Sequence, residues 1–104
     1  MSNSAFAYKL VRKRKDGTLG PLFINRKQIL PIGIWLEAGD YPTKGYAHRP
    51  GWHVTKNKTA PHLSMKGRIW VLVQVKDYEE LIRSESQGGV WLLAKWMKII
   101  VTCY

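Results

Sequence analysis

The octapeptide RIWVLVQV at residues 68–75 decides the fold class. Ile69, Val71, Val73 and Val75 are β-branched and Trp70 is aromatic, residue types that suit a pleated, half-buried backbone. Both alternating faces are apolar from Ile69 to Val73, so the octapeptide reads as a central strand covered on both sides. The stretch before it, Gly45 to Ser64, holds all three histidines: His48, His53 and His62. Pro50-Gly51 marks a turn, and Trp52 to Thr55 is a short strand with period-two side chains. Residues 59–64 allow one helical turn. This stretch is expected to form one wall of a cleft beside the central strand.

Further toward the N-terminus, residues 5–12 read as a strand with Phe6, Tyr8 and Leu10 on one face and Lys9 on the other. Asp16-Gly17 is a hairpin dipeptide, because glycine accepts positive φ and aspartate caps its own turn. A second strand at 20–24 completes an N-terminal hairpin with a basic tip, Arg12-Lys13-Arg14-Lys15. Residues 25–44 carry Pro31, Gly33, Gly39 and Pro42, which break any long helix. There the pattern gives a strand or turn around Gln28 to Ile32 and an apolar patch, Ile34-Trp35-Leu36. Glu37 and Asp40 are expected to pair with neighbouring cations.

On the C-terminal side, Asp77 can cap a short helix and Glu80 can complete a capping box. SESQGG is a loop, residues 90–95 read as helix or strand, and residues 98–104 as a closing strand. The expected fold is a single α+β domain, an antiparallel sheet with one or two short helices. A chain of 104 residues is one domain and buries enough surface for one core.

Seventeen Lys and Arg against seven Asp and Glu give a net charge of +10. Such a field attracts polyanions, and nucleic acid is the usual polyanionic partner of strongly basic domains. Cations alternate with aromatics at Arg49–Trp52, Lys66–Trp70 and Lys95–Lys98, a mixture suited to phosphate contact and base stacking. Trp70 and Trp96 lie in apolar runs and are expected in the core, whereas Trp35 and Trp52 border loops and are expected at the surface. The nucleic-acid contacts expected are Lys13, Arg14, Lys15, Arg49, Trp52, Lys56, Lys58 and Lys66, on nucleic acid or an anionic nucleoprotein machine.

Other chemistry is thinly represented. The spacing His48-x4-His53-x8-His62 matches no zinc pattern and Cys103 is the single cysteine, so no metal is expected. Ser64 and Thr55 neighbour histidines without a nucleophile-elbow motif, although a histidine remains suited to proton transfer at neutral pH. Cys103 reads as a small buried apolar residue. The apolar patch of the first fifteen residues precedes the charges, opposite to a signal peptide, and no run approaches the ~20 apolar residues of a membrane span. The expected location is the cytoplasm.

Gly51-Trp52-His53-Val54-Thr55, then Thr59-Ala60-Pro61-His62, then the apolar strand Ile69–Val75 resemble the residue-class pattern of the ADP-ribosyltransferase fold, which includes poly-ADP-ribose polymerases and RNA 2′-phosphotransferases. The resemblance covers about thirty positions and implies an NAD-using enzyme with Arg12, His53, Thr55 and Glu85 around the cofactor. Arg12 would be the first-strand residue that holds NAD. The family's late-strand glutamate has no counterpart near Gly89-Val90-Trp91, and Glu85 is the closest acid. In size and charge the chain also resembles small proteins of phages and mobile elements. A phage factor for host takeover or anti-defence, or a structural phage component, fits that style.

Overall fold

The computed structural model describes residues 4–22, 27–38, 51–58, 64–87 and 89–103. Six strands run through them: β1 (Ser4–Lys13), β2 (Leu19–Gly20), β3 (Trp35–Glu37), β4 (Trp52–Thr55), β5 (Arg68–Ile82) and β6 (Val90–Cys103). β5 and β6 form a long antiparallel hairpin, from Trp70 opposite Cys103 to Ile82 opposite Val90. A single 3₁₀ turn, Glu85–Gln87, and Gly89 at φ 74° close its tip. Near the base, Leu72 faces Val101 and Val73 faces Ile99, so Ile100 bulges out of the ladder.

β1 lies antiparallel along the free edge of β5, from Ser4 opposite Lys76 to Arg12 opposite Arg68. β4 lies along the outer edge of β6, from Trp52 opposite Ala94 to Thr55 opposite Trp91, and touches β1 at the pair Tyr8–Thr55. The ladders β1–β5–β6–β4–β1 therefore return to their origin and make a small closed barrel. β2 extends the β4 side of β1, and β3 extends the β4 side of β6. Closure removes exposed sheet edges along the ring.

Asp77 makes this closure possible. Its φ of 54° is a left-handed conformation, which a short polar side chain tolerates better than a branched one. Before it, Ile69, Val71, Val73 and Val75 point inward and are at most 8% exposed. After it the inward parity changes, and Tyr78 packs against the core. β5 thus turns a corner and serves two walls of the barrel without breaking its register to β6. Ala7, Val11, Val54, Leu92, Ala94, Met97 and Ile99 complete the interior, with Leu30 covering it.

The helices expected from the sequence are absent among the described residues, so the domain is not α+β but mostly antiparallel β-sheet. The reputed capping box at Asp77 and Glu80 lies inside β5, where Glu80 faces Leu92 of β6. Cross-strand pairing over the whole hairpin outweighs a local cap that stabilises helices by only ~1 kcal/mol. Residues 90–95 and 98–103 are one continuous strand. β5 is central in pairing, yet only one face is core; Trp70, Leu72 and Gln74 on the other are half-buried. Of the second strand expected at 20–24, the described residues show β2 at Leu19–Gly20, residues 23 and 24 lying outside them, and Gln28–Ile32 contributes one parallel bridge, Ile32 to Ile99. Residues 59–63 of the turn expected at 59–64 and most of the expected cleft wall, including His48, Arg49 and His62, lie outside the described residues, as does Asp40.

Candidate nucleic-acid interface

One end of the barrel gathers cations from three segments. The Lys13 amide donates to the Gly67 carbonyl at 2.9 Å, which brings the β1–β2 turn beside the turn before β5. Lys13, Lys15 and Lys66 are exposed there. Lys27 joins them, because Arg14 Nη2 donates to the neighbouring Gln28 carbonyl at 2.8 Å. Asp16, in the same turn, directs its carboxylate to Thr18: the hydroxyl donates at 2.7 Å and the amide at 3.0 Å. These two bonds, hydroxyl first, hold its pKa below the usual carboxylate value.

Arg14 has a different part from its lysine neighbours. Its guanidinium folds back to donate to the Leu19 carbonyl at 3.1 Å as well as to Gln28. Gly20 makes room for this, since a Cβ there would overlap the guanidinium. Arg14 thus clamps the hairpin onto the following segment. Arg12 Nη2 donates to the Leu22 carbonyl at 3.4 Å, and its buried Nε has no hydrogen-bond partner among the described residues.

A second basic surface lies on the outer face of the sheet. Residues directly opposite on neighbouring strands share a face. The register therefore sets Phe6, Gln74, Lys98 and Trp35 in one row across β1, β5, β6 and β3. The adjoining row is Ser4, Lys76, Trp96 and Glu37. Lys76 Nζ lies 4.4 Å from the Trp35 ring centre and 5.3 Å from that of Trp96. Lys98 Nζ lies 4.9 Å from the Trp35 centre. No carboxylate forms an ion pair with either ammonium among the described residues. On the far side, Lys58 sits 5.8 Å from the Tyr8 ring, and Phe6 is 64% exposed.

The remaining expected contacts are placed elsewhere. Lys56 pairs with Glu80 at 3.4 Å on the surface. Trp52 is only 8% exposed and donates its indole N–H to the Leu36 carbonyl at 3.0 Å, so its ring is a core element with little face to offer a ligand. Against it stands Lys9, whose Nζ lies 5.9 Å from the indole centre and donates to the His53 carbonyl at 3.0 Å. Burial of this ammonium lowers its pKa to about 8. Trp96, expected in the core, is instead half-buried on the outer face beside Lys76. The signal was present in the alternation of Trp96 and Lys98 with Met97 and Ile99: a strand that buries one pair presents the other.

Of the residues implied by the ADP-ribosyltransferase resemblance, His53 and Thr55 stand on β4, with Thr55 buried and in register between Tyr8 of β1 and Trp91 of β6. Arg12 faces Arg68 at the start of β5, whereas Glu85 is exposed in the turn beyond that strand's other end. Among the described residues no three of His, Cys, Asp and Glu gather to hold a metal ion, and no helix is long and apolar enough to cross a membrane. Comparison with known protein families, with curated proteins and with solved structures finds no match to this chain.

Proposed function

We propose that this protein is a small basic binding module for nucleic acid or for a nucleoprotein machine. The observation that carries the reading is the convergence of exposed Lys13, Lys15, Lys27 and Lys66 at one end of the barrel, where the sole nearby described acid, Asp16, is held by Thr18. Lysines on turns are long, mobile donors that suit phosphate oxygens, and their attraction is independent of base sequence. The net charge of +10 extends the field beyond this end and favours fast encounter with a polyanion. A phage-encoded factor that docks on host nucleic acid or its machinery fits this size and charge. The test is titration of labelled DNA and RNA at rising salt. The affinity is expected to fall by roughly tenfold or more between ~50 and ~200 mM salt, as counterion release requires for several phosphate contacts. Failure to retain any nucleic acid at ~50 mM salt rejects the reading.

A further inference from the structure

We propose that the outer face bearing Phe6, Tyr8, Trp35, Trp96, Lys76 and Lys98 binds single-stranded nucleic acid, with bases stacked on the rings and phosphates held by the ammonium groups. This rests on the reading above and narrows it to unpaired strands.

The face is contiguous by register. Phe6 and Trp35 are ends of one row across four strands, about 14 Å apart at three strand spacings. That span accommodates several nucleotides. Tyr8 continues the face on β1, two residues from Phe6, and Trp96 continues it on β6, two residues from Lys98. Aromatic planes and cations are therefore interspersed across the strip, with Gln74 between Phe6 and Lys98 and the Glu37 carboxylate at one end. Each base has a π-face, so such a strip grips a strand with little regard to sequence.

Three observations favour an unpaired strand over other occupants. The rings are of use only where base planes are accessible, and a duplex hides its planes in the stack. A broad sheet face does not enter the major groove, which admits a helix or a two-stranded ribbon. The charge is also net positive: Lys76 and Lys98 both lie over Trp35, and Lys58 over Tyr8, with Glu37 the one acid in the two rows and no ion pair to any of the three lysines among the described residues. Two ammonium groups drawn to one indole repel each other, and an anion between them relieves that repulsion. When a base slides onto Trp35, the lysines swing from ring to phosphate without leaving the site.

The test uses the full chain and a fluorescein-labelled oligothymidine of about 12 nucleotides, within the ~4–16 that one small barrel covers. The same strand annealed to its complement is the control. The single strand is expected to bind at least tenfold tighter than the duplex at equal salt and to quench tryptophan fluorescence. Phe6→Ala alters a ring that is 64% exposed, so it is expected to leave folding intact and to weaken single-strand binding about tenfold with little effect on the duplex. Trp35→Ala is expected to do the same, and Trp35→Phe to restore most of the loss. Duplex binding as tight as single-strand binding overturns this inference and leaves the parent reading standing, as does wild-type affinity in both alanine variants. Loss of both ligands at ~50 mM salt removes the parent reading and this one with it.

Discussion

Lys9 of β1 donates its Nζ hydrogen bond to the carbonyl of His53 on β4, 3.0 Å away, across the seam where the barrel closes. The same ammonium lies 5.9 Å from the Trp52 ring centre. A lysine thus lines the inner side of a strand whose companions on that side are Ala5, Ala7 and Val11.

That enclosure predicts an unusual pH response. The Lys9 pKa falls from 10.5 to about 8 on folding, because burial disfavours the charged form. Below about pH 8 both states carry the proton and the folded state bears the full desolvation penalty. Between about 8 and 10.5 the unfolded state binds more protons, so stability rises with pH and the gain is complete above 10.5. The gain is on the order of 1–3 kcal/mol, reduced by the partial exposure of the residue. Urea titrations of the wild type and Lys9→Met across this range check it. The variant should lack this increment, and parallel pH profiles would contradict the assignment.

Arg14 and Lys15 are adjacent cations with opposite roles. Arg14→Ala strips charge-assisted bonds from the Leu19 and Gln28 carbonyls and is expected to lower stability by about 1–3 kcal/mol. Lys15→Ala is expected to stay within about 0.5 kcal/mol of the wild type. Thermal unfolding of the two variants distinguishes a clamp from a contact residue.

Nucleic-acid binding should divide the lysines in turn. Lys15→Ala and Lys66→Ala are each expected to reduce the slope of log affinity against log salt by about 0.7–0.9. Lys56→Ala should change it less, since Glu80 already offsets that charge. Equal effects at all three positions would argue against a basic end and for a diffuse field.

Gly51 has φ 140°, and a Cβ there would stand 2.6 Å from Leu93 Cδ1. Gly51→Ala is therefore expected to cost about 1–3 kcal/mol from backbone strain, with a further steric part. Adding Leu93→Ala should recover the steric part only, measured relative to Leu93→Ala alone in a double-mutant cycle.

Much of the strand framework was readable because it is written in period-two alternation. Trp52–Thr55 and the start of β5 at Arg68 match the residue pattern directly. The second half of β5 was not readable. DYEELIR carries acids and a cap-like spacing that favour a helix locally, and only the facing strand Val90–Ala94 makes it β. The inner side of β1 was misleading for a related reason. Phe6, Tyr8 and Leu10 form the more hydrophobic face, yet the barrel interior is lined by the valines of β5 and accepts the smaller Ala7 and Val11. The clustering of Lys76 and Lys98 over Trp35 depends on three strands far apart in sequence, so no local window contains it.

β1 ends at Lys13, and the strand that completes its long edge begins only at Arg68. Among the described residues, β1 therefore finds few pairing partners during synthesis until β5 has emerged. Its own neighbour offers two register pairs in the meantime, at Arg12 and Lys13. Closure of long loops before their contacts form slows folding, and an unpaired strand is open to wrong partners while it waits. Charges placed within an apolar strand, as at Lys9, Arg12 and Lys13, are the kind that oppose its joining a neighbouring chain before the barrel exists.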